Sequence, residues 1–121
     1  MVICVLASQC KSQKQAGPGE EVDHALEAAR EANALIVTFT YGSEKAAWIE
    51  EATRQFNRSE QKLNSGQVIY VNPIPMGSGQ CIEEIEERKR ETHLVSPASA
   101  AFIKLGNAAS EARTGGPLGK G

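Results

Sequence analysis

Aromatic residues, basic charge and long apolar runs are all scarce in this chain of 121 residues. Aromatic residues make up 5% of it and charged residues 23%, and the formal net charge is -2. A core with so few rings has to be built from Ile, Val, Leu and Ala. The lack of a basic excess argues against nucleic acid as a partner. No apolar run approaches the roughly 20 residues of a membrane-spanning helix.

Cysteine occurs three times, at Cys4, Cys10 and Cys81, without any C-x-x-C pair. An odd number of cysteines with no paired spacing argues against a disulfide framework and a structural zinc site. His93 has no Cys or Asp partner at metal-ligand spacing, so no metal is predicted. The N-terminal apolar run has no basic region before it, which favours a first strand over a signal peptide and predicts a cytoplasmic protein.

Short β-branched runs alternate with helical apolar stripes along the chain, which predicts one three-layer α/β domain with a mostly parallel, four-stranded sheet. This domain takes in residues 1–113, and a glycine-rich flexible tail follows at 114–121. Pro73 and Pro75 are expected to end the third strand. Ser43 is a predicted helix cap, and so is Ser96 with Pro97 after it. The strands are predicted at residues 2–7, 34–39, 67–71 and 93–96, and the helices at 20–32, 43–56, 81–92 and 96–113.

The loops that follow parallel strands meet at one edge of a sheet, where ligands of α/β domains bind. One of these loops contains Gly77, Ser78 and Gly79 directly before a helix. Backbone N–H groups at such a helix start can hold a phosphate, so this loop is a candidate phosphate cradle, with a plain flexible turn as the alternative. Lys11 and Lys14 lie in another loop of the same edge and can meet a phosphate there, with a solvated loop as the alternative.

The helix that follows "TYGS" is acidic and carries the tryptophan. Glu44 lies in its first turn, and Glu50 and Glu51 follow Trp48. A carboxylate in a cleft that excludes water can stabilise an oxocarbenium-like centre while an N-glycosidic bond breaks, or can attack that centre. A solvated helix face is the alternative interpretation. The residues predicted to wall the base or ribose are Tyr41, Ser43 and Trp48.

The stretch "GPGEEVDHALEAAREANALIVTFTYGSEKAAWIEEATRQF", with the later "GQVIYVNPI", resembles the middle of a TIR-type domain over about residues 17–74. It is also similar to the nucleoside 2-deoxyribosyltransferase group. This resemblance implies a flavodoxin-like or TIR-like fold and a glutamate that acts at an N-glycosidic bond. In the TIR pattern this glutamate falls four residues after the tryptophan, where this chain has Ala52. Glu50 and Glu51, with Glu44 in reserve, therefore stay open as the acidic residue.

The functional hypothesis is that the chain binds a nucleotide-derived small molecule, NAD-like or a nucleoside, and hydrolyses it or transfers its sugar at the N-glycosidic bond. NAD or another nucleotide would then be the substrate. The alternatives are a non-catalytic ligand sensor or sponge and a TIR-like protein–protein adaptor. Because an open sheet leaves two edges to be covered, a homo-oligomer is also expected.

Overall fold

The computed structural model describes residues 18–119, and side chains from residue 21 onward. The predicted first strand at residues 2–7 and the loop with Cys10, Lys11 and Lys14 lie outside the described residues, as does the end of the tail. A short 3-10 turn at Ser43–Lys45 precedes the second helix. The elements are α1 Pro18–Glu31, β1 Leu35–Gly42, α2 Ala46–Arg58, β2 Ile69–Met76, α3 Ser78–Glu86, β3 Leu94–Ser96 and α4 Ala100–Thr114.

The three strands form a parallel sheet in the order β2-β1-β3, so β1 is central. Tyr41 of β1 contacts Glu50 of α2, whereas the neighbouring Thr40 lies beside Cys81 of α3. Adjacent residues of a strand point to opposite faces, so α2 and α3 cover opposite faces of the sheet. The prediction of an α/β chain with a parallel sheet is confirmed, with three strands within residues 18–119 where the whole chain was expected to have four.

Both longer strands extend past the predicted ends. β2 does not stop before Pro73 but continues through Pro75 to Met76, and β1 includes Tyr41 and Gly42, where a turn was expected. The two extensions pair with each other at the ends of β1 and β2. The prediction that the prolines end the strand was therefore wrong.

The outer edge of β2 explains why the prolines are tolerated. The amide of Ile69 donates to the carbonyl of Gln61 at 2.8 Å, on the side away from β1. Two residues later, the side chain of Asn57 accepts from the Val71 amide at 2.8 Å and donates to the Val71 carbonyl at 2.9 Å. Backbone groups of successive residues point to opposite sides of a strand, so those of residues two apart point to the same side. Pro73 and Pro75 therefore face outward, as Ile69 and Val71 do. Neither proline removes a hydrogen bond from the sheet.

The predicted helix caps were wrong as well. The Ser43 side chain makes no capping hydrogen bond, and α4 begins after Ser99, whose hydroxyl accepts from the Ala101 amide at 3.1 Å. Ser96 and Pro97 are held instead at the end of β3 by Lys45. The ammonium of Lys45 donates to the Ser96 hydroxyl at 2.9 Å and to the Pro97 carbonyl at 2.6 Å.

The predicted third helix both begins and ends earlier than expected. α3 starts at Ser78 rather than at Cys81. It ends at Glu86, and Arg88 just beyond it adopts φ 53°. A single residue in this left-handed region is a common way for a helix to end.

The core lies toward the carboxyl ends of the strands. Tyr41, Ile49 and Cys81 are completely buried, and Met76 and Ile82 are nearly so. The β-branched strand runs predict a sheet core of Ile3, Ile36, Val37, Val68 and Ile69. Ile3 lies outside the described residues, and the other four are only half-buried. The described side chains of the adjoining α1 are likewise mostly exposed.

Leu118 and Gly119 of the predicted tail lie against α4. The amide of Gly119 donates to the Asn107 side-chain oxygen at 3.2 Å, and Leu118 lies beside Gly106. The division into a domain of residues 1–113 and a flexible tail of residues 114–121 stays a prediction.

Candidate functional site

A cleft of about 780 Å³ lies between α1 and α2 beside the outer edge of β2. We call it the α1–α2 cleft. Pro73 and Pro75 of β2 and Val22 of α1 supply apolar surface. The polar and aromatic lining residues that matter for chemistry are Glu21, Asp23, Glu50, Arg54, Arg58 and Tyr70.

The sequence of α2 explains which side chains reach the cleft. Ile49 and Thr53 face the sheet and are buried, and the Thr53 hydroxyl donates to the Ile49 carbonyl at 2.6 Å. Residues four apart on a helix share a face, so Glu50, Arg54 and Arg58 form a second stripe that flanks the buried one. This charged stripe is the wall that α2 presents to the α1–α2 cleft.

The carboxylate of Glu50 is held by a residue of the central strand β1. The hydroxyl of Tyr41 donates to a carboxylate oxygen of Glu50 at 3.4 Å. Burial, and then the negative charge of Glu50, raise the pKa of Tyr41 to about 12. The phenol therefore remains protonated and can donate to the carboxylate. Because Tyr41 has no exposed surface, it can orient Glu50 but cannot itself contact a ligand.

We expect the free energy of unfolding to fall as the pH rises from about 10 to about 12. The unfolded chain ionises Tyr41 near its ordinary pKa of 10.0, whereas the folded chain keeps it protonated up to about 12, so alkaline pH favours the unfolded state. Burial also raises the pKa of Tyr70. Urea denaturation at pH values on either side of 10 measures the effect. Tyr41→Phe should remove more of it than Tyr70→Phe, and equal removal would contradict the assignment.

The other predicted carboxylates do not line the α1–α2 cleft. Glu51 is paired with Arg54 and accepts from the Gln55 side chain at 2.8 Å, on the exposed side of α2. The carboxylate of Glu44 folds back against Gly42, since a Cβ there would overlap the carboxylate oxygens. Of the three candidate glutamates, the structure therefore brings only Glu50 to the cleft.

The residues predicted to wall the base or ribose do not lie together in the cleft. Trp48 is 63% exposed and is not part of the cleft lining, and Ser43 is exposed at the end of β1. Tyr41 contributes only through its hydrogen bond to Glu50. The roles of these three residues in walling a base or ribose stay predictions.

The predicted phosphate cradle is at the start of α3, and none of its three residues lines the α1–α2 cleft. Gly77 precedes the helix, and the Ser78 hydroxyl accepts from the Ala98 amide at 2.7 Å. A Cβ on Gly79 would lie 3.9 Å from the Phe102 ring. Ser78 thus ties α3 to the segment before α4, and the structure does not bring these three residues together with Glu50.

Cys81 is not placed for nucleophilic chemistry. It is completely buried, and burial raises the pKa of its thiol, against the smaller opposing effect of the adjacent Thr40 hydroxyl. A buried neutral thiol is a poor nucleophile. Among residues 18–119, no three His, Cys, Asp or Glu side chains come together as metal ligands.

Four residues of the cleft lining were not predicted from the sequence: Arg54, Asn57, Arg58 and Tyr70. A usable signal was present, because Arg54 and Arg58 follow Glu50 at steps of four residues. What the spacing does not show is that this stripe faces α1. That depends on how the two helices sit against β2.

Within the described part of the chain, no helix has the length and apolar character required to cross a bilayer. Comparison of the chain with protein-family models, with curated proteins and with solved structures found no match. The geometry of the α1–α2 cleft therefore carries the functional conclusion.

Proposed function

We propose that the chain binds a nucleotide-derived small molecule in the α1–α2 cleft. The observation that carries this proposal is the position of Glu50 on the cleft wall, with its carboxylate bonded to the buried Tyr41 hydroxyl. An oriented carboxylate can accept hydrogen bonds from ribose hydroxyls. Tyr70 and the two prolines of the lining add the apolar and aromatic surface that a base requires.

The reaction that suits this arrangement is cleavage or transfer at an N-glycosidic bond. Positive charge develops at the anomeric carbon as that bond breaks, and the negative charge of Glu50 would stabilise it. Tyr41 would act as a positioning residue that holds the carboxylate. The resemblance of residues 17–74 to TIR-type and deoxyribosyltransferase domains, and with it a flavodoxin-like fold, supports this part of the proposal.

A second candidate is a sensor or sponge that binds the same ligand without turnover. The observation that favours it is the exposure of Glu50 to solvent, because water weakens the stabilisation that a carboxylate gives to a developing cation. An adaptor function would use exposed apolar side chains instead. Trp48 at 63% and Leu105 at 68% exposure are the observations that favour an adaptor.

The test is a thermal-shift screen with NAD, nucleosides and nucleoside monophosphates, followed by a chromatographic assay for the released base. We expect binding, with slow release of the base. Glu50→Gln should abolish release and leave binding largely intact, because the amide keeps the shape but loses the charge. Glu51→Gln is the matched control, since Glu51 is next to Glu50 in sequence but does not line the cleft.

Three outcomes separate the candidates. Release that is lost with Glu50→Gln and kept with Glu51→Gln supports the enzyme. Binding without release by the parent protein supports the sensor or sponge. No binding across the panel would eliminate both and leave the adaptor.

A further inference from the structure

The α1–α2 cleft has an acidic end and a basic end. α1 leads into the start of β1 and α2 follows the end of β1, so both helices run antiparallel to the strands. Glu21 and Asp23 near the start of α1 therefore lie at the same end as Glu50, toward the carboxyl ends of the strands. Arg58, the last residue of α2, is at the other end. With a rise of 1.5 Å per residue, Glu50 and Arg58 are about 12 Å apart along the helix.

The two arginines of the lining are not equivalent. Arg54 is paired with Glu51, which neutralises its charge locally. Arg58 makes no ion pair with any carboxylate of the side chains that the structure describes, residues 21–119. The amide side chain of its neighbour Asn57 is engaged on both atoms by the Val71 backbone. Among the described side chains, Arg58 is thus the cation at the basic end of the cleft whose N–H groups can meet a ligand.

We infer that Arg58 forms a phosphate subsite, so that the ligand of the cleft is a phosphorylated nucleotide rather than a free nucleoside. This inference rests on the proposed function, which leaves both classes open. A guanidinium presents a planar fork of donors that matches two phosphate oxygens. Glu21, Asp23 and Glu50 repel an anion from the acidic end. The ligand therefore lies along α2, with its sugar at Glu50 and its phosphoryl group at Arg58.

The experiment compares adenosine, adenosine 5′-monophosphate and inorganic pyrophosphate as probes, by calorimetry with the full chain. We expect the monophosphate to bind at least about tenfold more tightly than the nucleoside, which is about 1.4 kcal/mol. Added salt should reduce this difference, because it screens an exposed ion pair. Arg58→Gln should remove the preference and weaken pyrophosphate binding, without changing adenosine binding.

Two variants make the result specific to Arg58. Arg113→Gln removes another exposed arginine, near the end of α4, and should change nothing. Arg58→Lys keeps the charge without the fork and should give an intermediate preference. Melting of each variant without ligand shows that the fold is retained.

Equal affinities for adenosine and its monophosphate, or equal effects of Arg58→Gln and Arg113→Gln, would overturn the subsite. If pyrophosphate binds in a manner that depends on Arg58 but no nucleotide binds, the phosphate subsite is supported and the proposed function is contradicted. Absence of binding by all three probes would defeat both.

Discussion

Replacement of Asn57 with alanine is expected to lower the free energy of unfolding by about 2–3 kcal/mol, since it leaves two backbone groups of a partly buried strand without partners. The side chain of Asn57 binds both the amide and the carbonyl of Val71 at distances of 2.8 and 2.9 Å. Asn57 thus makes the two hydrogen bonds that a neighbouring strand would otherwise make with the Val71 backbone. Urea denaturation of the variant and the parent measures the loss.

Asn64→Ala is the matched control, because Asn64 is exposed in the loop before β2 and makes no side-chain bond comparable with those of Asn57. A loss in Asn57→Ala no larger than in this control would show that the Val71 bonds contribute little. The structure also predicts a second readout. With its edge opened, β2 offers unpaired backbone groups to another chain, so light scattering should show more self-association in Asn57→Ala than in Asn64→Ala.

Gly106→Ala in α4 is expected to lower the free energy of unfolding by about 1–3 kcal/mol through overpacking. A Cβ at Gly106 would lie 2.6 Å from Cγ2 of Ile82 on α3 and 3.3 Å from Leu118. Elsewhere in a helix the same change stabilises by about 1 kcal/mol. Here the sign reverses, because Ile82 is buried and its β-branched side chain has little rotational freedom.

A double-mutant cycle tests this cause. In an Ile82→Ala background the obstructing methyl is gone, so Gly106→Ala should become neutral or stabilising in chemical denaturation. If Gly106→Ala destabilises both backgrounds equally, contact with Ile82 is not the reason that glycine is needed between α3 and α4.

Some features of the candidate site can be predicted from the sequence and others cannot. That an acidic helix follows the central strand is visible in "TYGSEKAAWIEE". Which glutamate reaches a cleft is not, because Glu50 and Glu51 differ by only one residue, or 100° around the helix. Packing of Ile49 and Thr53 on the sheet sets the rotation of α2. That rotation turns Glu50 toward α1 and leaves Glu51, which pairs with Arg54, outside the cleft.

By itself the sequence determined the kind and order of the elements between residues 18 and 119, because hydrophobic periodicity and β-branched runs act over a few residues. The extent of β2 through Pro73 and Pro75 was decided by the tertiary structure, since a proline is tolerated only where its missing N–H faces away from the partner strand. The position of the α1–α2 cleft was decided in the same way. It requires residues of α1, α2 and β2 that are separated along the chain and meet only once the helices have packed beside the sheet.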